Sequence, residues 1–364
     1  MLVGFSILGT FHMDAFDRVS RRQLNRGDAL IIFLASVYLL LSGCSMSVLT
    51  SVASSPDGST IVAVGSSDDR MSTIYVYDAS TLTEPKVLKA EKEKALSGET
   101  GVLRDKRPLA ISFDSRFLAA AGRRHSVDVW DLVSGRQVVN LPQLAGAMAI
   151  AFSPVANILA IAGPASETTV WSVPDSKLFA VLRGKPTSPN TAVAFSPDGK
   201  MVAVGDADRT ARLWTMPDGR EVGALREHHK WVHSLSFSPD GITLAVYAGQ
   251  IKFWRLPDTI LLPLFPELRD VSITSIEGQP GMFSPDGRFF AYFRTYVWHL
   301  LGLENHPREL VVFSFGRKKV IRIDCACLSF TFSPDSSKLI TVGALVLGTS
   351  PIEIWSPVTG ERVR

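Results

Sequence analysis

The residues best suited to chemistry gather in three places. The first is Arg226-Glu227-His228-His229-Lys230-Trp231-Val232-His233, which holds three of the seven histidines. Metal ligation needs imidazoles on one face at short range. Residues four apart in a strand share a face but lie roughly 13 Å apart. His229 and His233 therefore read as structural or surface groups. The second place is Asp206-Ala207-Asp208, which opens like a calcium loop. It puts Ala211 where such a loop needs glycine and Pro217 where it needs glutamate, so a turn aspartate is expected instead. The third is Cys325-Ala326-Cys327. In one strand the two cysteines would share a face about 6.6 Å apart, at the outer limit for a disulfide. Two small buried core residues are expected there. No phosphate loop, dinucleotide fingerprint, zinc-protease motif or nucleophile elbow occurs. No catalytic residue, metal or cofactor is expected, and no small-molecule substrate.

Composition narrows the partners. The 364 residues are 46% apolar and 20% charged, which is globular rather than disordered. A formal net charge of +3, with no basic stripe interleaved with aromatics, argues against nucleic acid.

Whatever positions these side chains must be built from a repeat. The phrase Ser-Ser-Pro-Asp-Gly at 54–58 returns as Phe-Ser-Pro at 152–154, and as Phe-Ser-Pro-Asp at 195–198, 237–240, 283–286 and 332–335. A shortened copy stands at 112–117. Proline pre-sets φ at the second turn position and glycine suits the fourth, so the phrase reads as a type I turn between antiparallel strands. Apolar runs flank it, and then a short β-rich segment centred on an aromatic. Prolines 154, 197, 239, 285 and 334 are 43, 42, 46 and 49 residues apart. Trp130, Trp171, Trp214, Trp254 and Trp355 mark the third-strand site. Tyr77 takes that site in the first repeat and Phe313 in the sixth, with 294–308 as an insertion. Val127-Asp128-Val129-Trp130 and Ala211-Arg212-Leu213-Trp214 alternate, which predicts one buried and one wetter face.

These motifs resemble the WD40 repeat family, over nearly everything after Cys44. The resemblance implies an all-β fold: a seven-bladed β-propeller with four-stranded antiparallel blades, over residues 44–364. The chain departs from the family pattern. Only His228, after Glu227, stands where the family has Gly-His, and Asp208 matches the structural aspartate before the third strand. No blade carries the full polar tetrad, so apolar packing is expected to carry more of the stability. The last outer strand reads as short or missing. Either the segment after Cys44 supplies it or the C-terminus is truncated.

The N-terminus adds a second resemblance. Four arginines precede Ala29–Leu41, an almost wholly apolar run too short to span a bilayer comfortably. Leu41-Ser42-Gly43-Cys44 then resembles the bacterial lipoprotein signal. It implies a signal peptide over 1–43, cleavage before Cys44 and lipid attachment at Cys44. An uncleaved membrane anchor is the alternative. The implied location is the cell envelope, on the periplasmic face of the outer membrane or the extracytoplasmic face of the cell membrane. Residues 84–107 are expected to form a solvated helix or loop.

Propellers host many functions. The expectation is a lipid-anchored, non-enzymatic platform for other proteins. Contact loops are expected around Asp68–Arg70, at Arg123, Arg124 and His125, around Lys185–Asn190, and at Arg226, His229, Lys230 and Trp231. Trp231 beside cations suits an interface hot spot. The alternative is an enzyme or ligand-binding protein using the central channel. The inner strands, such as Ala147–Phe152, carry mostly small apolar residues, which disfavours a polar catalytic funnel.

Overall fold

The computed structural model describes residues 48–66, 72–82, 85–88, 108–121, 126–142, 146–164, 166–185, 188–263, 281–295, 308–325, 327–343 and 352–363. Cys44, the segment before it, Arg123, Arg124, His125, Asp68–Arg70 and nearly all of 84–107 lie outside these residues.

Among the described residues every regular element is a strand. Blade 1 comprises β1 (Val48–Ser54), β2 (Thr60–Ser66), β3 (Ser72–Asp78) and β4 (Lys86–Leu88). Blade 2 follows with β5 (Leu109–Ile111), β6 (Phe117–Ala121), β7 (Ser126–Asp131) and β8 (Arg136–Pro142). Blade 3 is β9 (Ala149–Phe152), β10 (Ile158–Ala162), β11 (Glu167–Ser172) and β12 (Lys177–Arg183). Blade 4 is β13 (Asn190–Phe195), β14 (Met201–Asp206), β15 (Ala211–Thr215) and β16 (Arg220–Leu225). Blade 5 is β17 (Ser234–Phe237), β18 (Thr243–Tyr247), β19 (Ile251–Arg255) and β20 (Ile260–Leu261). Blade 6 is β21 (Met282–Phe283), β22 (Phe289–Thr295), β23 (Arg308–Ser314) and β24 (Lys319–Cys325). Blade 7 is β25 (Cys327–Phe332), β26 (Leu339–Gly343) and β27 (Ile352–Trp355).

Each blade is an antiparallel meander in chain order. First strands of successive blades touch: β1 with β5, β5 with β9, β9 with β13, β13 with β17, and β17 with β21. The ring closes where β1 packs on β25 and β26. There the Val52 amide donates to Ser329 Oγ at 3.2 Å, and the Ser54 hydroxyl donates to the Phe332 carbonyl at 2.8 Å. The architecture is a seven-bladed β-propeller.

A four-stranded sheet of this size cannot bury both faces by itself. Here each face is covered by the next blade. Among the described residues seven apolar clusters form, one at each junction between neighbouring blades. The repeat aromatics sit in register: Tyr77, Trp130, Trp171, Trp214, Trp254, Phe313 and Trp355 each pair with the start of their blade's second strand.

The Ser-Pro-Asp-Gly phrase does two jobs. Within a blade, the first serine is buried. Its hydroxyl donates to the turn aspartate and accepts the amide that opens the second strand, as in Ser284 with Asp286 (2.7 Å) and Phe289 (2.9 Å). The same pair of bonds forms at Ser55, Ser112, Ser196, Ser238 and Ser333. Between blades, every turn leans on the one before. Gly58 faces Pro334, Gly241 faces Pro197 and Gly287 faces Pro239, while Gly199 abuts Val155. At the other three junctions Ser115 Oγ accepts the Asp57 amide at 3.2 Å, Asn157 donates to Asp114 at 2.9 Å, and Ser336 Oγ accepts the Asp286 amide at 3.1 Å. The turns form one unbroken circle. The fourth position demands a left-handed backbone, and Gly241 adopts φ 71° there.

Three expectations need correction. The third strands β7 and β15 do not have the wetter face expected of them. Asp128 and Arg212 are 6% and 8% exposed, because both faces of a blade are covered by neighbours. Asp128 is held instead by Gln137 (3.0 Å) and Asn140 (2.5 Å). Secondly, Cys325 and Cys327 are buried core residues as expected, but they are also joined as a disulfide, with Cα atoms 5.1 Å apart. The extended spacing does not apply, since Cys325 ends β24 and Cys327 begins β25 of the next blade. Thirdly, Val48–Ser54 pairs with β2 inside blade 1 and does not supply an outer strand to blade 7. That place is started by the far end of the chain, where Arg362 bridges Trp355 and the Val363 amide donates to the Ile354 carbonyl at 2.7 Å.

The turn carboxylates make the ring acid-sensitive. Burial raises Asp57, Asp114 and Asp286, but serine and backbone hydrogen bonds outweigh it and leave all three below the ordinary carboxylate value. The Ser196 hydroxyl holds Asp198 down, and the Ser333 and Ser337 hydroxyls hold Asp335 down to about 2. A depressed folded value contributes stability above the unfolded value and loses it as pH falls through the folded one. The urea midpoint should therefore fall progressively from about pH 4 towards about pH 2. Asp335→Asn should lower the midpoint at neutral pH and flatten part of that slope. A midpoint independent of pH over this range refutes the linkage.

Candidate functional site

The strand ends opposite the turn circle carry the loops that join blades. Around blades 4 and 5 the described parts of these loops are 184–185, 188–189 and 226–233, and the β14–β15 and β18–β19 turns, 207–210 and 248–250, lie beside them. Of the expected contact positions, this area carries Arg226, His229, Lys230 and Trp231, with Lys185, Ser188 and Pro189 of the 185–190 loop.

Loop 226–233 connects β16 to β17 and is pinned from below. Trp254 Nε1 can only donate, and it reaches His228 Nε2 at 3.4 Å. That fixes the tautomer: Nδ1 carries the proton and donates to the Arg209 carbonyl at 3.1 Å. Burial pushes the His228 pKa down, against the opposing Arg209 bond, so the ring is neutral at pH 7. His228 does the structural work expected of it. Next, the Val232 amide donates to the Asp206 carbonyl at 3.2 Å, and the Thr191 hydroxyl donates to the Val232 carbonyl. The Val232 side chain is fully buried and presses on Gly205, where any Cβ would collide with it. Lys252 donates to the Glu227 carbonyl. The Lys230 stem lies over Gly249.

With the backbone so fixed, the side chains left outside are Arg226, His229, Lys230 and Trp231. Trp231 is 52% exposed. It does not pack under the neighbouring blade. Its ring leads inward through His233, 6.5 Å away, to the buried Tyr247, a further 6.2 Å on. Lys185 and Arg209 are exposed on the adjoining loops. Glu227 is exposed as well, and Asp208 is engaged by Arg212. Cations outnumber free carboxylates on this area.

Beneath it lies a charged network that the sequence reading missed. Asn190 and Asp206 face each other across the β13–β14 ladder, and both are fully buried. Asn190 Nδ2 donates to Thr168 Oγ1 of blade 3 at 3.0 Å. Asp206 forms an ion pair with Arg212. Arg212 Nη2 also donates to Asp208 Oδ2 at 2.9 Å, while Asp208 Oδ1 accepts the Thr210 amide at 3.0 Å. Burial pushes the Arg212 guanidinium down from its ordinary value; Glu221 opposes this. Asp206-Ala207-Asp208 thus works as a counter-ion for one arginine. A charge in a strand covered on both faces needs such a partner, and that is the signal by which the network could have been found.

The family described as WD domain, G-beta repeat matches residues 176–215 and 219–255. The two matched repeats run from β12 through β19. They contain Asp208, His228 and Trp254, so the area described here is also the part of the chain most similar to that family. No curated protein matches the chain.

Removing one partner of a buried ion pair leaves an uncompensated charge and costs about 3–5 kcal/mol. Arg212→Met should lower the unfolding free energy by that order. Arg212→Met with Asp206→Asn should recover most of the loss. Chemical denaturation of the two variants checks this, and equal losses would refute the pairing.

Proposed function

We propose that the protein is a non-catalytic platform for other proteins, held in the cell envelope by lipid on Cys44. The observation that carries the platform reading is Trp231: a large aromatic half exposed, on a loop fixed by His228, Thr191 and Val232 and shared with the exposed Arg226, His229 and Lys230. An exposed aromatic on a backbone already ordered loses little entropy on binding and suits an interface anchor. A propeller with this face is consistent with what WD repeats generally do, which is to bind proteins. Arg123, Arg124 and His125, also proposed as contacts, lie outside the described residues. The channel-facing strands give an enzyme little to work with among the described residues: their polar side chains are hydroxyls and the Asn190 amide.

The envelope reading rests on the residues before and at Cys44.

Two measurements test the proposal. In a quantitative pull-down from solubilised envelope, Trp231→Ala should lose partners that the parent retains, by about tenfold or more in recovery. Its melting temperature should stay unchanged, because the removed ring is outside the core. Identical recovery would remove Trp231 as the anchor. Mass spectrometry of the mature N-terminus should find a first peptide beginning at diacylated Cys44. A chain that still carries residues 29–43 would replace the lipid with an uncleaved anchor.

A further inference from the structure

The opposite face of the ring holds a feature unrelated to Trp231. A cleft of about 200 Å³ opens between the β23–β24 turn of blade 6 and blade 7. Its floor is apolar, formed by Phe289, Ile321 and Val358. Blade 7 closes on this floor because Gly360 meets Ile321, at a distance where a Cβ would lie 2.7 Å from Ile321 Cγ2. The rim is cationic: Arg288, Arg317 and Lys319 line it, and no carboxylate does. Lys318 stands between the last two.

The three cations differ in how they are held. Arg288 is fixed. Its Nε pairs with Asp286 and its guanidinium lies over the Phe289 ring, 5.5 Å from the centroid. The pairing with Asp286 uses Nε, so the outer guanidinium nitrogens remain to serve a ligand. Arg317 and Lys319 are exposed and have no hydrogen-bond or ion-pair partner among the described residues. Like charges set side by side repel unless something negative joins them. Ser314, between Phe289 and Lys319 in the sheet and 6% exposed, adds a hydroxyl at the same edge.

We infer that this cleft binds a phosphate-type oxyanion. A planar guanidinium presents paired N–H donors to a phosphate, and a lysine adds a point charge. The volume decides the size. Pockets for whole drug-sized ligands run to roughly 300–1,000 Å³, so the cleft takes one oxyanion group rather than a cofactor. That group is either free phosphate or the phosphate of an anionic lipid headgroup.

The experiment is equilibrium dialysis of the full chain against radiolabelled inorganic phosphate, with chloride balancing the ionic strength. The parent should retain phosphate. Arg317→Gln with Lys319→Gln should retain it at least about tenfold less tightly, two charge-assisted hydrogen bonds having been lost. Both side chains are exposed, and an unchanged melting temperature confirms that the variant is folded. A second arm sediments parent and variant with phosphatidylglycerol vesicles and with phosphatidylcholine vesicles. Phosphatidylglycerol binding that the variant loses, and that free phosphate competes away, assigns the site to a headgroup. Phosphate retention without a difference between parent and variant on vesicles assigns it to the free ion. If the parent retains no phosphate, or the variant retains as much, the inference is overturned.

Discussion

Everything in this molecule depends on each blade having two neighbours. One four-stranded meander exposes two apolar faces, and burying them alone is not possible. Stacked in a ring, the seven blades place all seven apolar clusters at their junctions. None of the clusters belongs to a single repeat. Removing a repeat would uncover two faces at once. The closing contact of β1 on β25 and β26 therefore matters as much as any internal one. It is made by apolar packing and by the Ser329 and Ser54 hydroxyl bonds, without sharing a sheet between first and last blades.

The Ser-Pro-Asp-Gly phrase is how the sequence encodes that dependence locally. Its serine and aspartate tie two strands together, and its proline and glycine shape the turn. The outer surface of each turn then meets the previous one. Where a copy is degenerate, a side chain substitutes: Ser115 and Ser336 take the left-handed fourth position at φ 58° in both cases, and each uses its hydroxyl to reach the neighbouring turn. A left-handed serine costs more than glycine, and the inter-blade bond offsets part of that cost. In the third repeat Val155 replaces the aspartate. There Ser153 receives the Val155 amide at 3.4 Å instead, and Asn157 makes the link to blade 2. The circle survives the loss of any one letter because each link needs only one donor or one close contact.

The fold was legible because it is written in spacing. Turn prolines and third-strand aromatics recur at nearly fixed intervals, and Phe313 was found at its site with tryptophan absent. What was not legible depends on knowing how repeats stack. Alternation in Ala211-Arg212-Leu213-Trp214 correctly marks a strand, but it cannot say that the polar face is also covered. So Arg212 looked solvated and its partner Asp206 looked like a turn residue. The bond between the two buried cysteines was missed for a related reason: an i, i+2 rule holds inside a strand and fails where one blade ends and the next begins. Arg226, His229, Lys230 and Trp231 stand exposed on the one loop, 226–233. His228, between them, faces inward and serves as their support.

The buried network explains why the loop bearing Trp231 is ordered between blades 4 and 5. Loop 226–233 is fastened to the end of β14 through the Asp206 carbonyl, and the Asp206 side chain is fastened to Arg212. Arg212 in turn holds Asp208, whose turn presents the Arg209 carbonyl to His228. One chain of bonds thus runs from the interior of blade 4 to the loop bearing Trp231. Polar groups buried in pairs contribute little net stability compared with apolar packing of the same volume. What they add is direction, because an ion pair fixes orientation where a methyl contact does not. The loop that bears the exposed tryptophan is the one tied to the core by directional bonds, and the two family-matched repeats are the ones that supply them.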